Sequence, residues 1–135
     1  MSPSQMIGWS LNQTSSVTNI VSTRIYAGQR PVTTTVPCIN YFEMAGTKRL
    51  NGFERSTYSI NCRATTAETA LQLARKVVDL FEGGISGRGG YGSMNGFEIT
   101  RASLRQGQGL IPEPDDTLYN APVDIFIVYP TSSVS

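Results

Sequence analysis

FERSTYSINCRATTAETALQLARKVVDLFE, residues 53–82, holds the join on which the fold turns. Its first twelve residues alternate with period two. Tyr58, Ile60, Cys62 and Ala64 fall on one side, and Thr57, Ser59, Asn61 and Arg63 on the other. That is the pattern of a strand, Phe53 to Ala64, with one buried and one wet face. At Thr65 the period changes. Thr65 and Glu68 fit a Thr-x-x-Glu capping box, and a helix follows from Thr66 to Glu82. Ala67, Ala70, Leu71, Ala74, Val77, Val78 and Phe81 make its apolar stripe. Glu68, Gln72, Arg75, Lys76, Asp79 and Glu82 face away, and Gly83-Gly84 closes it. Burying Leu71, Val77, Val78 and Phe81 is worth roughly 1.5–3 kcal/mol each, so the helix must lie on a sheet or on another subunit.

Before this join, Pro37 opens a second strand, Cys38 to Met44. Cys38, Asn40, Phe42 and Met44 lie on one face, and Ile39 and Tyr41 on the other. The segment from Ala45 to Asn51 carries Lys48 and Arg49 and ends in Asn51-Gly52, a strong turn signal. Residues 38–64 therefore read as an antiparallel hairpin with a long, charged tip. Further back, Thr23 to Tyr26 is a short strand ended by Gly28, joined to the hairpin by residues 27–36. Ser2-Pro3 suits a helix start, because Ser caps and Pro needs no donor in the first turn. Apolar spacing then supports one interrupted helix or two short ones over residues 3–21, weakened at Asn12 to Ser16.

After the helix, GGISGRGGYGSMNG (83–96) contains seven glycines and is too polar and flexible to be core. A strand is expected from Phe97 to Leu104, with Phe97, Ile99 and Arg101 on one side. A loop follows from Gln106 to Asn120, and a strand rich in β-formers from Val123 to Tyr129. The order is helix, β, β, β, helix, β, β. The expected class is α+β: a small, mainly antiparallel sheet with an N-terminal helix and one long amphipathic helix packed on it. One domain, residues 1–130, is expected, with 131–135 a disordered tail.

Composition narrows the chemistry. The 135 residues carry 11 basic and 10 acidic side chains, a net charge of +1, and no histidine. Charged residues are 16%, against about 25% in average domains, so polarity comes from Ser, Thr, Asn, Gln and Gly. A broad basic field for nonspecific nucleic-acid binding is missing. No apolar run is long enough to span a membrane, and the first residues do not read as a secretory signal. Cys38 and Cys62 read as reduced, small buried hydrophobes; a disulfide requires that their strands pair.

Gly87-Arg88-Gly89-Gly90-Tyr91-Gly92 has GxGxxG spacing, but it follows a helix and precedes a strand, the reverse of a dinucleotide site. No Gly-Lys-Ser/Thr triplet is present for a P-loop. Without histidine, neither cysteine nor serine has the usual activating base. Glu113, Asp115 and Asp116 offer oxygens to a hard cation, but lack EF-hand spacing and sit between prolines as a solvated loop would. No cofactor, metal or catalytic residue is expected. Lys48, Arg49 and Arg55 near the hairpin tip, with Arg88 in the glycine loop, are either a solvated surface or a contact for a protein partner or passing DNA.

Several of these pieces, in this order, resemble the phage tail terminator family, the small tail-completion proteins of long-tailed bacteriophages. They are STRIY (22–26) after an N-terminal helix, PCINYFEM (37–44), YSINCRA (58–64), TTAETALQLARKVVDLF (65–81) and VDIFIVY (123–129). The resemblance spans most of residues 3–130. It implies a function without chemistry: an α+β domain that assembles into a homo-oligomeric ring, typically a hexamer, at the head-proximal end of the tail tube. The ring ends polymerisation of the tube protein and offers a face to the head–tail connector protein, and genomic DNA later passes through its lumen. The implied location is the virion, with assembly in the host cytoplasm and no membrane partner. The other readings left open are a different head–tail joining protein, a small nucleic-acid or ligand-binding domain, and an enzyme.

Overall fold

The computed structural model describes residues 2–28, 35–81, 92–94, 97–99, 101–107, 111–112 and 118–131. Two short helices come first, α1 (Pro3–Gln13) and α2 (Ser15–Val21). Ser2 caps α1, accepting from the Gln5 amide, while the Gln5 side chain accepts from the Ser2 amide; Pro3 occupies the first turn. The break at Thr14 follows from side chains that compete for the helix's carbonyls. Asn12 Nδ2 donates to Gly8 O and Thr14 Oγ1 to Ser10 O, each at 2.8 Å.

Strand β1 (Ile25–Ala27) pairs in parallel with β2 (Cys38–Leu50), and β2 pairs antiparallel with β3 (Phe53–Ala64). The β2–β3 hairpin departs from expectation. Its tip is not a long charged loop: the ladder runs to Leu50↔Phe53 and closes on the two residues Asn51 and Gly52, with φ of 51° and 85°. Two left-handed residues make the tight turn whose twist matches the strands, so pairing continues through the charged segment. Bulges between Glu43 and Ala45, and between Ala45 and Lys48, absorb the extra residues of β2 and re-phase its alternation. Sequence periodicity fails for that reason after Met44.

Helix α3 (Ala67–Asp79) lies against β3 and β8 (Tyr119–Pro130). Its cap is Thr66, one residue later than expected; the Thr66 hydroxyl accepts from the Thr69 amide at 3.2 Å. The buried stripe is Ala70, Leu73, Val77, Leu80 and Phe81, whereas Leu71 is 48% exposed. The three- and four-residue steps from Ala70 lead to Leu73 and Ala74, not to Leu71, which lies about 100° round the helix. Leu71 therefore sits at the stripe's edge.

The remaining strands are β4 (Gly92–Met94), β5 (Phe97–Ile99), β6 (Arg101–Gly107) and β7 (Ile111–Pro112). The single strand expected over 97–104 is two: β5 pairs with β4 in a separate ribbon, and β6 joins the main sheet. The expected loop after Gln106 contains β7, which pairs with the start of β8. The main sheet runs β1-β2-β3-β8-β6, with β7 also on β8, and is antiparallel except at β1. The class is α+β as expected. β3 and β8 form its centre, in register without a bulge from Phe53↔Pro130 to Ala64↔Tyr119.

One face of the sheet carries the core. Ile39 and Tyr41 of β2, Tyr58, Ile60 and Cys62 of β3, and Val123, Ile125 and Ile127 of β8 meet Met6, Ile7, Leu11, Val17, Leu73, Val77 and Phe81 of the helices and the turn that follows α3. Gly8 lets α1 approach closely, since a Cβ there would overlap the Tyr41 hydroxyl. Residues 82–91, 113–117 and 132–135 lie outside the described residues. The expectations for the Gly83-Gly84 cap, the GxGxxG segment, the acidic loop and the tail fall there.

Candidate interaction surface

Alternation places every second residue of β2, β3 and β8 on the face away from the core. The register orders these residues in rows. At the helix-proximal end, Arg63 stands between Cys38 and Asn120, and Asn61 between Asn40 and Pro122. In the middle, Ser59 stands between Phe42 and Asp124. Towards the hairpin turn, Thr57 stands between Ala45 and Phe126, Arg55 between Lys48 and Val128, and Phe53 between Leu50 and Pro130.

This face is not uniformly wet, contrary to expectation. Ser59 and Asn61 are 5% and 6% exposed. Both are short side chains on a central strand with a paired strand on each side. Polar groups there bond to one another: Arg63 donates to Asn40 Oδ1, Asn40 Nδ2 to Gly28 O at 2.9 Å, and Asn120 Nδ2 to Asn61 Oδ1 at 3.0 Å. Asn120 Oδ1 is buried without a partner among the described residues. Such amide pairs fix strand register and do no acid–base chemistry at neutral pH.

The hairpin end of the face is different. Phe53 there is 43% exposed, and Phe42 in the middle row and Met44 at the β2 bulge are as open, at 44% and 43%. The Arg55 guanidinium lies over the half-buried Phe126 ring, 5.5 Å from its centroid. Of the cations expected at the tip, Lys48 and Arg55 are directly opposed partners. Arg49 is one residue out of phase and pairs with Glu54, its Nε 3.2 Å from Glu54 Oε1. Glu54 is 8% exposed in its side chain, so Arg49 serves as counter-charge to a shielded carboxylate. Arg88 lies outside the described residues. Sequence reading missed Arg101, which register places beside Val128 in the row of Lys48 and Arg55. The signal available was its position in an alternating stretch, but Arg101 reaches that row only through β8, a pairing that no local pattern announces.

Elsewhere burial favours the neutral forms of a cysteine and a tyrosine in the core. Burial pushes the Cys62 thiol well above the ordinary range, more than Arg63 lowers it. Burial raises the Tyr58 hydroxyl as well, helped by the Glu43 carboxylate. Cys38 and Cys62 are both buried and are not joined by a disulfide. Their strands do pair, but Cys62 opposes Ile39 and Cys38 opposes Arg63, so the two project to opposite faces. A cleft of about 310 Å³ between the α1–α2 break and the end of α3 is lined by Thr14, Ser16, Lys76, Asp79 and Leu80. Among the described residues no three His, Cys, Asp or Glu side chains gather as metal ligands, and no helix is long and apolar enough to cross a membrane.

No protein-family model matches the sequence, and no curated protein matches it. Among solved structures, the chain is similar to one in the virion of a native gene transfer agent particle. The TM-score is 0.75 at 10% identity, over 96% of this chain and 95% of the other. At that identity the likeness is one of fold.

Proposed function

We propose that this chain is a structural protein of a phage-like virion and acts as a tail terminator. Copies close into a ring, a hexamer on the family pattern, at the head-proximal end of the tail tube. The ring stops tube polymerisation and presents a joining face to the head connector, with genomic DNA passing through its lumen. The chain performs this by shape and self-association, without catalysis or cofactor.

The observation that carries the reading is the shared fold, nearly end to end, with a chain of a gene transfer agent virion. Two features of the molecule support self-assembly. A closed ring needs two unlike patches that meet head to tail. The sheet ends on unlike strands, the parallel β1 and the antiparallel β6. Leu71 on α3 and the exposed Phe42, Met44 and Phe53 add apolar area on two different surfaces.

The test is negative-stain imaging of the purified protein, together with particles assembled without it. Rings with a central hole, and overlong tails in the protein's absence, are expected. A strictly monomeric species at high concentration with tubes of unchanged length would sink the reading. Normal unattached tails beside filled heads would move the role to another head–tail joining protein.

A further inference from the structure

Asn51 and Gly52, which turn the β2–β3 hairpin, are both exposed, with φ of 51° and 85°. Asn-Gly suits this tight turn because both residues tolerate the left-handed region. The same pair is open to attack by the Gly52 backbone nitrogen on the Asn51 side chain, since glycine has no Cβ to shield its amide. Among the described residues the Gly52 N–H has no hydrogen-bond partner. Asn40 and Asn61 differ in both respects. They are buried, and they precede Tyr41 and Cys62 inside paired strands.

Two features of the fold oppose the attack. The Gly52 nitrogen reaches Asn51 Cγ only if the Asn51 Cα–C bond rotates, and that rotation swings the Gly52 peptide out of the turn. The Leu50↔Phe53 pair closes the ladder across the turn. Gly52 O also accepts from the Thr131 N–H at 2.8 Å, which ties the turn to the residue after β8.

We infer that Asn51 is a site of spontaneous deamidation, restrained by the hydrogen bond between Thr131 and Gly52. The Gly52 nitrogen gives its proton to base and bonds to Asn51 Cγ. The Cγ–Nδ2 bond breaks, and the nitrogen leaves as ammonia with a proton from solvent. Water then opens the cyclic imide. Opening at Cγ gives aspartate, and opening at the main-chain carbonyl gives isoaspartate. Either product takes the formal net charge from +1 to zero. Aspartate still fits the turn. Isoaspartate places Cβ in the main chain, so two residues no longer close the ladder at Leu50 and Phe53. The next pair, Arg49 with Glu54, then loosens. None of this depends on ring formation.

The experiment ages the full chain at mildly alkaline pH and follows each asparagine by ion exchange and by peptide mapping with mass spectrometry. An Asn95→Gln background removes the chain's other Asn-Gly pair, which lies outside the described residues. Asn51 should convert to both products while Asn40 and Asn61 stay intact. Thr131→Pro removes the tethering donor and should raise the rate several-fold, and the chain unfolded in urea should react faster still. Trypsin should cut after Arg49 several-fold faster in the isoaspartate form than in the parent, whereas Asn51→Asp should match the parent. An intact Asn51 in the folded chain, after the unfolded chain has converted, overturns the inference. So does equal conversion folded and unfolded, or a folded Thr131→Pro variant that ages like the parent. Equal cutting of the isoaspartate form and Asn51→Asp overturns the opening of the hairpin.

Discussion

The two faces of the sheet are made by alternate residues of the same three strands, yet they are held by different physics. On the helix-covered face, Ile60, Ile125 and Ile127 are fully buried and are held by apolar packing. On the opposite face Cys38 and Pro122 are buried, but so are four polar residues, Asn40, Ser59, Asn61 and the carboxylate Asp124. Beyond them Phe42, Met44 and Phe53 stand exposed. The contrast assigns most of the apolar packing to one face and strand register to the other. Because side chains alternate, a slip of one residue would exchange the two faces completely; the amide pairs on the outer face help to forbid it.

The comparison breaks most sharply at matched substitutions. Ile60→Ala should cost about 2–5 kcal/mol in denaturant unfolding, since it opens a cavity under α3. Phe42→Ser, beside Ser59 on the open face, should cost clearly less, about 1 kcal/mol, since part of the ring is already in water. If the two costs are alike, the division between faces is wrong. Thr66→Ala removes the α3 cap and should cost about 1 kcal/mol by the same measurement. Tyr129→Phe removes the 2.7 Å bond between the Tyr129 and Ser56 hydroxyls at the edge of the core, and should also cost about 1 kcal/mol.

The inner face also predicts a pH dependence. Cys62 and Tyr58 have folded-state pKa values above their unfolded ones, because burial disfavours the charged forms. Both stabilise the fold fully below the unfolded values, and that contribution is lost as pH rises beyond them. Stability should therefore begin to fall above about pH 8.5, where an unfolded thiol ionises. Cys62→Ala should remove the first part of the fall, leaving that due to the buried tyrosines Tyr41 and Tyr58. Thermal midpoints measured from neutral to alkaline pH will check this. Alkylation of Cys62 at pH 8 should proceed only as fast as the protein opens.

Much of the fold was legible. Phe53 to Ala64 is a strand as its alternation says, and Tyr58, Ile60, Cys62 and Ala64 are all buried. Ser2-Pro3 does start a helix, and the polar stretch from Asn12 does interrupt it. The bulges in β2 were not legible, because an inserted residue looks like lost periodicity. Leu71 was read as core in place of Leu73 because both are apolar and only the direction of the neighbouring sheet separates them. The basic row was half legible. Lys48 and Arg55 are close in sequence through the Asn51-Gly52 turn, whereas Arg101 reaches them only through β8.

Local patterns in the chain were enough to place β3, α3 and the start of α1, to mark Asn51-Gly52 as a turn, and to tell which face of β3 is apolar. They suffice because each depends on neighbours within a few residues. Which strands lie side by side, which cations share a row and which carboxylate neutralises Arg49 depended on pairing between distant segments. The placement of β8 between β3 and β6 settled that, since hydrogen-bond register sets side-chain neighbours that no local period encodes.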